Sequence, residues 1–311
     1  MDKPKVIVIT GPTATGKTAL GVLLAKMLSG EVVSADSMQV YMYMDIGTAK
    51  PTTEDMSGVP HYMLDVVPPW EDYSAARYIT DAASHIDDII SRGKTPLLVG
   101  GTGLYIDSLL SGRVFSARGD ALLRCELEAE YDESGGEDML RKLRVFDPES
   151  AAKLFANDKK RIVRAIEAYK VTGKTISQHD RETKMLPARY ASCKYALTFS
   201  DRAVLYSRID RRVEKMFSSG LENEVRGLLD MGVSHGATAL QAIGYKEVAC
   251  AIRGEISMTE AVEKIKMESR RYAKRQLTWL RRDTEARWIA WGNEPDLERA
   301  SKAIRSEWTQ G

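Results

Sequence analysis

The sequence is poor in the residues that build disulfide frameworks and soft-metal sites. Its 311 residues include three cysteines, Cys125, Cys193 and Cys250, and four histidines, all far apart along the chain. An odd number of dispersed cysteines argues against a disulfide framework, and dispersed histidines argue against a zinc centre. We therefore expect a reduced protein of the cytoplasm.

Long apolar runs and a strong net charge are also missing. No apolar run approaches the roughly 20 residues that span a bilayer, so we expect no membrane association. The formal net charge is +1, but the segment 264–282 contains eight lysines and arginines and a single acidic residue, Glu268. Local charge of one sign on a nearly neutral protein favours a polyanionic partner.

A glycine-containing loop follows the apolar run at 6–9. Its residues are Gly11, Pro12, Thr13, Ala14, Thr15, Gly16, Lys17 and Thr18. Such a loop between a strand and a helix directs backbone N–H groups at a phosphate. Lys17 can contact the terminal phosphates, and the Thr18 hydroxyl is placed for Mg²⁺. The pattern predicts a phosphate site without stating which molecule carries the phosphate.

The first hundred residues alternate between strand and helix patterns. We predict strands over 5–10, 31–34, 61–67 and 95–99 and helices over 17–28 and 74–91. Alternation of this kind predicts an α/β fold with a parallel sheet covered by helices, similar to that of phosphate-loop NTPases. A long helical stretch then predicts a mainly helical insertion domain over 117–194, with the core formed by 1–116 and 195–311 together with C-terminal helices.

Asp36 follows the second predicted strand. An aspartate near a phosphate loop can bind Mg²⁺, act as a general base or cap the next helix, and the sequence leaves these roles open. Nearby, the Gln39 amide offers both a donor and an acceptor, which suits the edge of a nucleobase.

The strand over 95–99 ends in glycines and Thr102 instead of an acidic residue. Many phosphate-loop nucleotidases place a metal-binding carboxylate here, so an ATP-hydrolysing motor is disfavoured. The Thr102 hydroxyl can donate a hydrogen bond to a charged oxygen or to a base. Phosphoryl transfer by a small-molecule or nucleotide kinase remains an alternative.

Two predicted helices carry clustered cations. Lys160 and Arg164 lie four residues apart, Arg161 and Arg164 lie three apart, and each pair shares a helix face. The segment 267–282 interleaves aromatic residues with arginines. Either helix could bind RNA or could present an ordinary solvated face.

The motifs at 11–18, 34–41, 100–105, 157–167, 240–247 and 274–282 together resemble the bacterial tRNA dimethylallyltransferase family. The resemblance extends from Lys5 to about Arg282. It implies that the phosphate loop holds dimethylallyl diphosphate, with Mg²⁺ as the cofactor, and that the dimethylallyl group passes to N6 of adenosine 37, beside the anticodon of tRNA. Diphosphate is then a leaving group and is not transferred.

The resemblance also implies roles for individual residues. Asp36 would accept the N6 proton, Thr102 would hold the N6 region or the bridging oxygen, and Lys17 with Arg208 or Arg212 would stabilise the diphosphate. The helical insertion would grip the anticodon stem-loop, and no obligate protein partner is expected. The implied tRNA-binding residues are Asp36, Ser37, Met38, Gln39, Thr102, Arg124, Lys160, Arg161, Ile162, Val163, Arg164, Gln241, Gly244 and Tyr245. The alternatives are the kinase and a non-catalytic RNA-binding protein.

Overall fold

A computed structural model describes residues 3–113, 115 and 119–310. It divides into two compact units, one formed by Met1–Leu110 and Tyr190–Gly311, the other by Ser111–Arg189. The boundary predicted between 116 and 117 lies outside the described residues. The boundary predicted between 194 and 195 falls inside a strand that begins at Ala191. The first residues of this strand include polar ones, so its start was not recognised from the sequence.

The described part of the first unit contains a parallel sheet. Its strands are β1 (Lys5–Thr10), β2 (Gly30–Ala35), β3 (His61–Tyr62), β4 (Thr95–Gly100), β5 (Ala191–Phe199) and β6 (Arg287–Trp291). They lie in the order β3-β2-β4-β1-β5-β6, and every neighbouring pair is parallel. The predicted α/β class is confirmed.

Helices surround the sheet and form the second unit. In chain order they are α1 (Lys17–Met27), α2 (Thr53–Met56), α3 (Ala75–Ser91), α4 (Gly103–Ser111), α5 (Ala121–Ser134), α6 (Gly136–Phe146), α7 (Pro148–Ala151), α8 (Lys159–Thr172), α9 (Ile176–Met185), α10 (Arg202–Ser218), α11 (Leu221–Asp230), α12 (Tyr245–Ile252), α13 (Met258–Leu280) and α14 (Leu297–Gln310). No helix in the described ranges is both long and apolar enough to cross a bilayer.

The hydrophobic core of the first unit is built around β1. Its residues 6–9 are fully buried, as expected for a central strand whose two faces are both covered. On one face, Leu20 and Leu24 of α1 pack in the same cluster as Ile7, Ile9 and residues of β4, β5 and α13.

Two elements differ from the sequence-based expectation. The strand predicted over 61–67 is regular only at His61–Tyr62, and Val67 forms an isolated bridge with Tyr41. Strand β6 was not predicted. Its sequence, Arg-Trp-Ile-Ala-Trp, is mostly apolar, but so short an apolar run does not distinguish a strand from part of a helix, and only Trp291 is buried.

The carboxyl ends of three adjacent strands bring three loops together. Thr10 of β1 and Ala35 of β2 both pair in register with Gly100 of β4. The loops at 11–16, 36–41 and 101–102 therefore begin side by side at one edge of the sheet, where ligands of such folds bind.

The second unit contains α5–α9 and has a hydrophobic core of its own. That core includes Leu127 of α5, Leu143 of α6 and both Ile162 and Ile166 of α8. Asp158 stands at the start of α8, but its carboxylate accepts the N–H of Phe155 instead of capping the helix.

Glu31, at the start of β2, is a buried carboxylate that ties three elements together. It accepts hydrogen bonds from both Nη atoms of Arg92 (2.6 and 2.7 Å), from Tyr62 Oη (2.8 Å) and from Lys94. The hydrogen bonds from Arg92, followed by those from Lys94 and Tyr62, outweigh burial and lower the pKa of Glu31 from 4.5 to about 2. The carboxylate therefore stabilises the fold in its charged form.

We predict that Glu31→Gln lowers the free energy of unfolding at neutral pH by about 2 kcal/mol, because charge-assisted hydrogen bonds are lost. A lowered pKa contributes stability above the unfolded-state pKa, and this is lost as the pH falls through the folded-state pKa. In urea unfolding, the difference between the two proteins should shrink from pH 4.5 toward pH 2. Glu298→Gln, on the surface of α14, is the control. A pH-independent difference would contradict the prediction.

Candidate active site

The loop between β1 and α1 has the backbone geometry of an anion site. Gly16 precedes α1 with φ +85°, and Gly11 has φ +148°. A Cβ atom at Gly11 would lie 2.5 Å from the Leu197 carbonyl oxygen, so only glycine fits there. The loop therefore curls tightly and leads into the N-terminus of α1, where the helix dipole favours negative charge.

Side chains from distant elements hold this loop in place. Gln276 of α13 accepts the Thr13 N–H at 3.2 Å, and Trp291 of β6 donates its indole N–H to the Thr15 carbonyl at 2.9 Å. Gln276 also donates to the Gly101 carbonyl at 2.9 Å. One buried amide thus joins the phosphate loop to the loop after β4.

A cavity of about 650 Å³ opens at this edge of the sheet. Its lining includes Asp55 and Tyr272, neither of which was predicted as a site residue. The predicted site residues that line it are Thr13, Ala14, Thr15, Gly16, Lys17, Thr18, Asp36, Ser37, Met38, Gln39, Arg212 and Gln241. The phosphate loop, the Asp36 loop and α10 therefore share one cavity.

Two cations lie beside each other in this cavity. Lys17 donates to the Pro12 carbonyl at 2.7 Å, and burial, reinforced by the charge of Arg212, lowers its pKa to about 7. Burial also lowers the pKa of Arg212, while Asp36 opposes this change. Two cations that burial disfavours form a site that an anion would stabilise.

Asp36 takes part in the local turn and also lines the cavity. Its Oδ1 atom accepts the Met38 N–H at 2.9 Å, and Thr102 Oγ1 accepts the Ser37 N–H at 3.0 Å. Burial, followed by the charge of Asp36, raises the pKa of Tyr272 to about 12. Tyr272 thus keeps its hydroxyl proton near the Asp36 carboxylate. Thr102, in contrast, does not line the cavity.

Arg208 does not lie where the sequence-based hypothesis placed it. Its guanidinium donates to the Ala14 carbonyl (3.3 Å), pairs with Glu294 (2.6 Å) and stacks over Phe199. Of the two candidate arginines, Arg212 lines the cavity and Arg208 supports the phosphate loop from outside.

Gln39 also differs from expectation. Its carbonyl oxygen accepts from Ser34 Oγ at 3.1 Å, and its amide nitrogen donates to the carbonyls of Thr48 (3.4 Å) and Ala49 (3.3 Å). These contacts occupy both ends of the amide, so we correct the expectation that it reads a base edge.

Several implied tRNA-binding residues are buried. The side chains of Ile162 and Val163 belong to the core of the second unit, and Tyr245 is fully buried with its hydroxyl donating to Glu224 at 2.5 Å. Gly244 is buried, and its N–H donates to Glu247. Packing therefore keeps the side chains of Ile162, Val163 and Tyr245 from contacting RNA. For these three residues and Gly244, tRNA contact through backbone atoms stays a prediction.

The four basic members of the implied tRNA-binding set are accessible. Lys160 and Arg161 are exposed on α8, and Arg124 and Arg164 are about two-fifths exposed. All four lie in the second unit. The exposed positions are those that can meet a phosphate backbone.

In the first unit, α13 carries a basic groove of about 430 Å³. Lys274, Arg275 and Arg282 line it together with Trp279, whose indole N–H donates to Asp107 at 2.6 Å. Arg275 also lines the larger cavity, so the groove and the cavity adjoin. Tyr272 and Gln276 of this basic segment were not predicted as site residues. The two residues lie four positions apart on α13 and so share one helix face, and this spacing could have identified them as neighbours in the site.

No cluster of three or more potential acidic, histidine or cysteine metal ligands occurs among the described residues. Thr18 lines the cavity with Asp36. So few potential protein ligands suit a Mg²⁺ ion, which takes most of its ligands from substrate phosphates and water. The sheet, the loop and the paired cations define a phosphate-loop α/β protein whose cavity places two cations near a carboxylate.

Comparison with known proteins identifies the family. The family model described as IPP transferase matches residues 39–283, and the one described as isopentenyl transferase matches residues 4–68. A tRNA dimethylallyltransferase of Acetivibrio thermocellus is 46% identical over 302 residues, covering 97% of this chain and 95% of the relative. The chain therefore belongs to the IPP transferase family.

Solved structures agree. The tRNA isopentenylpyrophosphate transferase of Bacillus halodurans has 40% identity and a TM-score of 0.74, with 99% of this chain and 98% of that chain covered. A eukaryotic dimethylallyltransferase captured acting on tRNA has 30% identity and a TM-score of 0.80, with 97% and 77% covered.

We predict that Gln276→Leu weakens anion binding and lowers stability. It leaves the Thr13 N–H and the Gly101 carbonyl without their partner, at a cost of about 1–3 kcal/mol for each group. Isothermal titration with magnesium diphosphate and thermal unfolding measure the two effects. Gln310→Leu, at the exposed C-terminal end of α14, is the control, and unchanged diphosphate affinity in Gln276→Leu would contradict the proposed support of the loop.

We predict that diphosphate binding takes up a proton near neutral pH. The pKa of Lys17 is about 7 in the ligand-free protein, and a bound anion favours the ammonium form. Affinity should therefore fall as the pH rises above 7. Calorimetry in two buffers of different ionisation enthalpy measures the uptake, and Lys17→Met reports the protons that diphosphate itself exchanges. Equal uptake in both proteins would refute the assignment.

Proposed function

We propose that this protein transfers the dimethylallyl group of dimethylallyl diphosphate to N6 of adenosine 37 of tRNA and releases diphosphate. The observation that carries the proposal is the cavity in which Lys17 and Arg212 lie beside the phosphate loop together with Asp36. Family membership and the names of the relatives support the same reaction.

The phosphate loop receives the diphosphate. As the allylic carbon–oxygen bond breaks, its electron pair passes to the diphosphate, so negative charge grows on the oxygens. The loop N–H groups, the Lys17 ammonium and the Arg212 guanidinium stabilise that charge. Because these groups are already in place, they need little reorganisation in the transition state.

Asp36 acts on the acceptor, the N6 amino group of adenine. The N6 nitrogen of adenine forms the new bond to the allylic carbon, and Asp36 accepts the proton that N6 loses. A base within a stacked loop cannot reach the cavity, so the adenosine must be flipped out. The turn at 37–38 lies in the cavity lining next to Asp36 and is placed to receive the displaced nucleotide.

Mg²⁺ fits the donor end of the cavity, with the Thr18 hydroxyl as the protein ligand. When bound, the ion neutralises part of the charge that develops on the diphosphate. RNA binding is assigned to the basic groove of α13 and to the exposed cations of α8, since phosphate contacts supply most of the affinity for RNA.

The kinase alternative rests on the phosphate loop alone. The loop after β4 contains glycines and Thr102 at the place where a metal-binding carboxylate would stand. No feature of the cavity favours phosphoryl transfer over loss of diphosphate, so a single function is proposed.

We predict that the protein adds one C5H8 unit to an anticodon stem-loop RNA with adenosine at position 37. Mass spectrometry detects this product in the presence of dimethylallyl diphosphate and Mg²⁺. An otherwise identical RNA with guanosine at that position should remain unmodified. Absence of the product, combined with ATP turnover on a small acceptor, would overturn the proposal.

In the same assay Asp36→Asn should lower kcat by about 10²–10⁴, the usual contribution of a general base. The diphosphate affinity should change little, because the loop and Lys17 remain. The control is Asp72→Asn, a surface carboxylate that accepts from Thr238. Full activity in Asp36→Asn would remove the general-base role.

A further inference from the structure

A buried carboxylate lies between two arginines in the second unit. Glu167 of α8 accepts hydrogen bonds at Oε1 from Arg124 of α5, at 2.9 Å from Nη2 and 3.2 Å from Nε. Its Oε2 atom accepts from Arg164 Nη1 at 2.9 Å. Each carboxylate oxygen thus holds a different guanidinium, and the two guanidiniums come from different helices.

The three side chains differ sharply in exposure. Glu167 is 0% exposed, whereas Arg124 is 44% and Arg164 is 38% exposed. A Cβ atom at Gly119 would lie 2.4 Å from Glu167 Oε1, so the backbone there packs directly against the carboxylate. The carboxylate is therefore enclosed, and the guanidiniums form the outer layer.

The hydrogen bonds to Glu167 limit the rotation of both arginine side chains, but a single carboxylate balances only one of their two positive charges. One carboxylate and two guanidiniums leave one positive charge at the surface. An arginine side chain loses considerable rotational freedom when it is ordered at an interface. Hydrogen bonds to a fixed carboxylate remove part of that freedom before any ligand arrives, and the planar guanidinium matches phosphate geometry.

The surroundings favour a polyanion as the ligand. Lys160 precedes Arg164 by one helical turn on α8, and Arg161, which pairs with Asp158 at 3.7 Å, is 73% exposed on the same helix. The two arginines bound to Glu167 therefore lie at one end of a row of cations, in which Lys160 and Arg164 are separated by one helical turn. A phosphodiester backbone can use such a row.

We propose that Glu167 is a positioning residue that holds Arg124 and Arg164 in a fixed pair for binding the tRNA phosphate backbone. The proposal rests on the function proposed above and extends it to a residue that does not itself meet the RNA. Glu167 acts through the arginines and does not contact the reacting atoms.

Two other interpretations predict different results. If Glu167 only reduced the positive charge, its neutralisation would tighten RNA binding and steepen the salt dependence. If it only stabilised the second unit, neutralisation would lower the melting temperature and leave RNA binding unchanged. Positioning predicts weaker RNA binding in spite of the added positive charge.

The test is Glu167→Gln in the full-length chain, measured with an anticodon stem-loop RNA. We expect KM for the RNA and the Kd from fluorescence anisotropy to rise about tenfold, as when two long side chains must be ordered on binding. kcat and the KM for dimethylallyl diphosphate should stay close to wild type. Unchanged or tighter RNA binding overturns the proposal, whatever the melting temperature.

A second variant keeps the test decisive if Glu167→Gln fails to fold. Arg124→Lys retains the charge but cannot bind a carboxylate and a phosphate with a planar fork, so it should weaken RNA binding in the same way. If Arg124→Lys binds RNA like wild type, the proposal fails. Where both variants fold, their effects should be non-additive in the double variant.

Glu149→Gln is the matched control, because Glu149 also pairs with two cations of the second unit, Lys153 (2.9 Å) and Arg181 (2.6 Å), but is exposed. It should bind RNA like wild type. Anisotropy measures RNA binding independently of prenyl transfer. A wild-type protein that binds the RNA without modifying it would therefore count against the proposed function and leave the role of Glu167 testable.

Discussion

A phosphate loop can direct its N–H groups at an anion only if its outward-facing carbonyl groups find partners elsewhere. Here the partners come from well-separated parts of the chain. Arg208 binds the Ala14 carbonyl, Trp291 binds the Thr15 carbonyl, and Lys17 and the Thr15 hydroxyl bind the Pro12 carbonyl. Side chains of helix α10, of strand β6 and of the loop itself thus bind the carbonyl groups of the loop. Its geometry depends on all of them.

The cavity of the first unit and the Glu167 cluster of the second unit use buried charge in opposite ways. In the first unit, Lys17 and Arg212 lie close together and burial disfavours the charge of both, so the cavity is stabilised when an anion enters. In the second unit, the anion is already present as Glu167, and it holds two arginines at the surface. The first arrangement suits a small, tightly enclosed ligand. The second suits a long polymer that is bound at many points.

Local patterns in the sequence were sufficient for the sheet centre and for the loop. The run at 6–9 predicts a buried strand, and the glycine spacing predicts the turn that follows it. The edge strand β6 and the bond from Gln276 to Thr13 could not be predicted, because both depend on pairing between segments far apart in sequence. The orientation of the Gln39 amide likewise depends on the carbonyls of a neighbouring turn. Side-chain chemistry predicts which groups can act, whereas tertiary packing decides which of them are already engaged.

The bond from Trp291 to the loop also has a consequence for biosynthesis. The loop leaves the ribosome well before the indole that binds the Thr15 carbonyl, because Trp291 lies 276 residues later in the sequence. During translation, the nascent protein therefore carries an unfinished anion site until β6 has also emerged. Chains that terminate before β6 lack this support, so incomplete translation products do not carry the finished site.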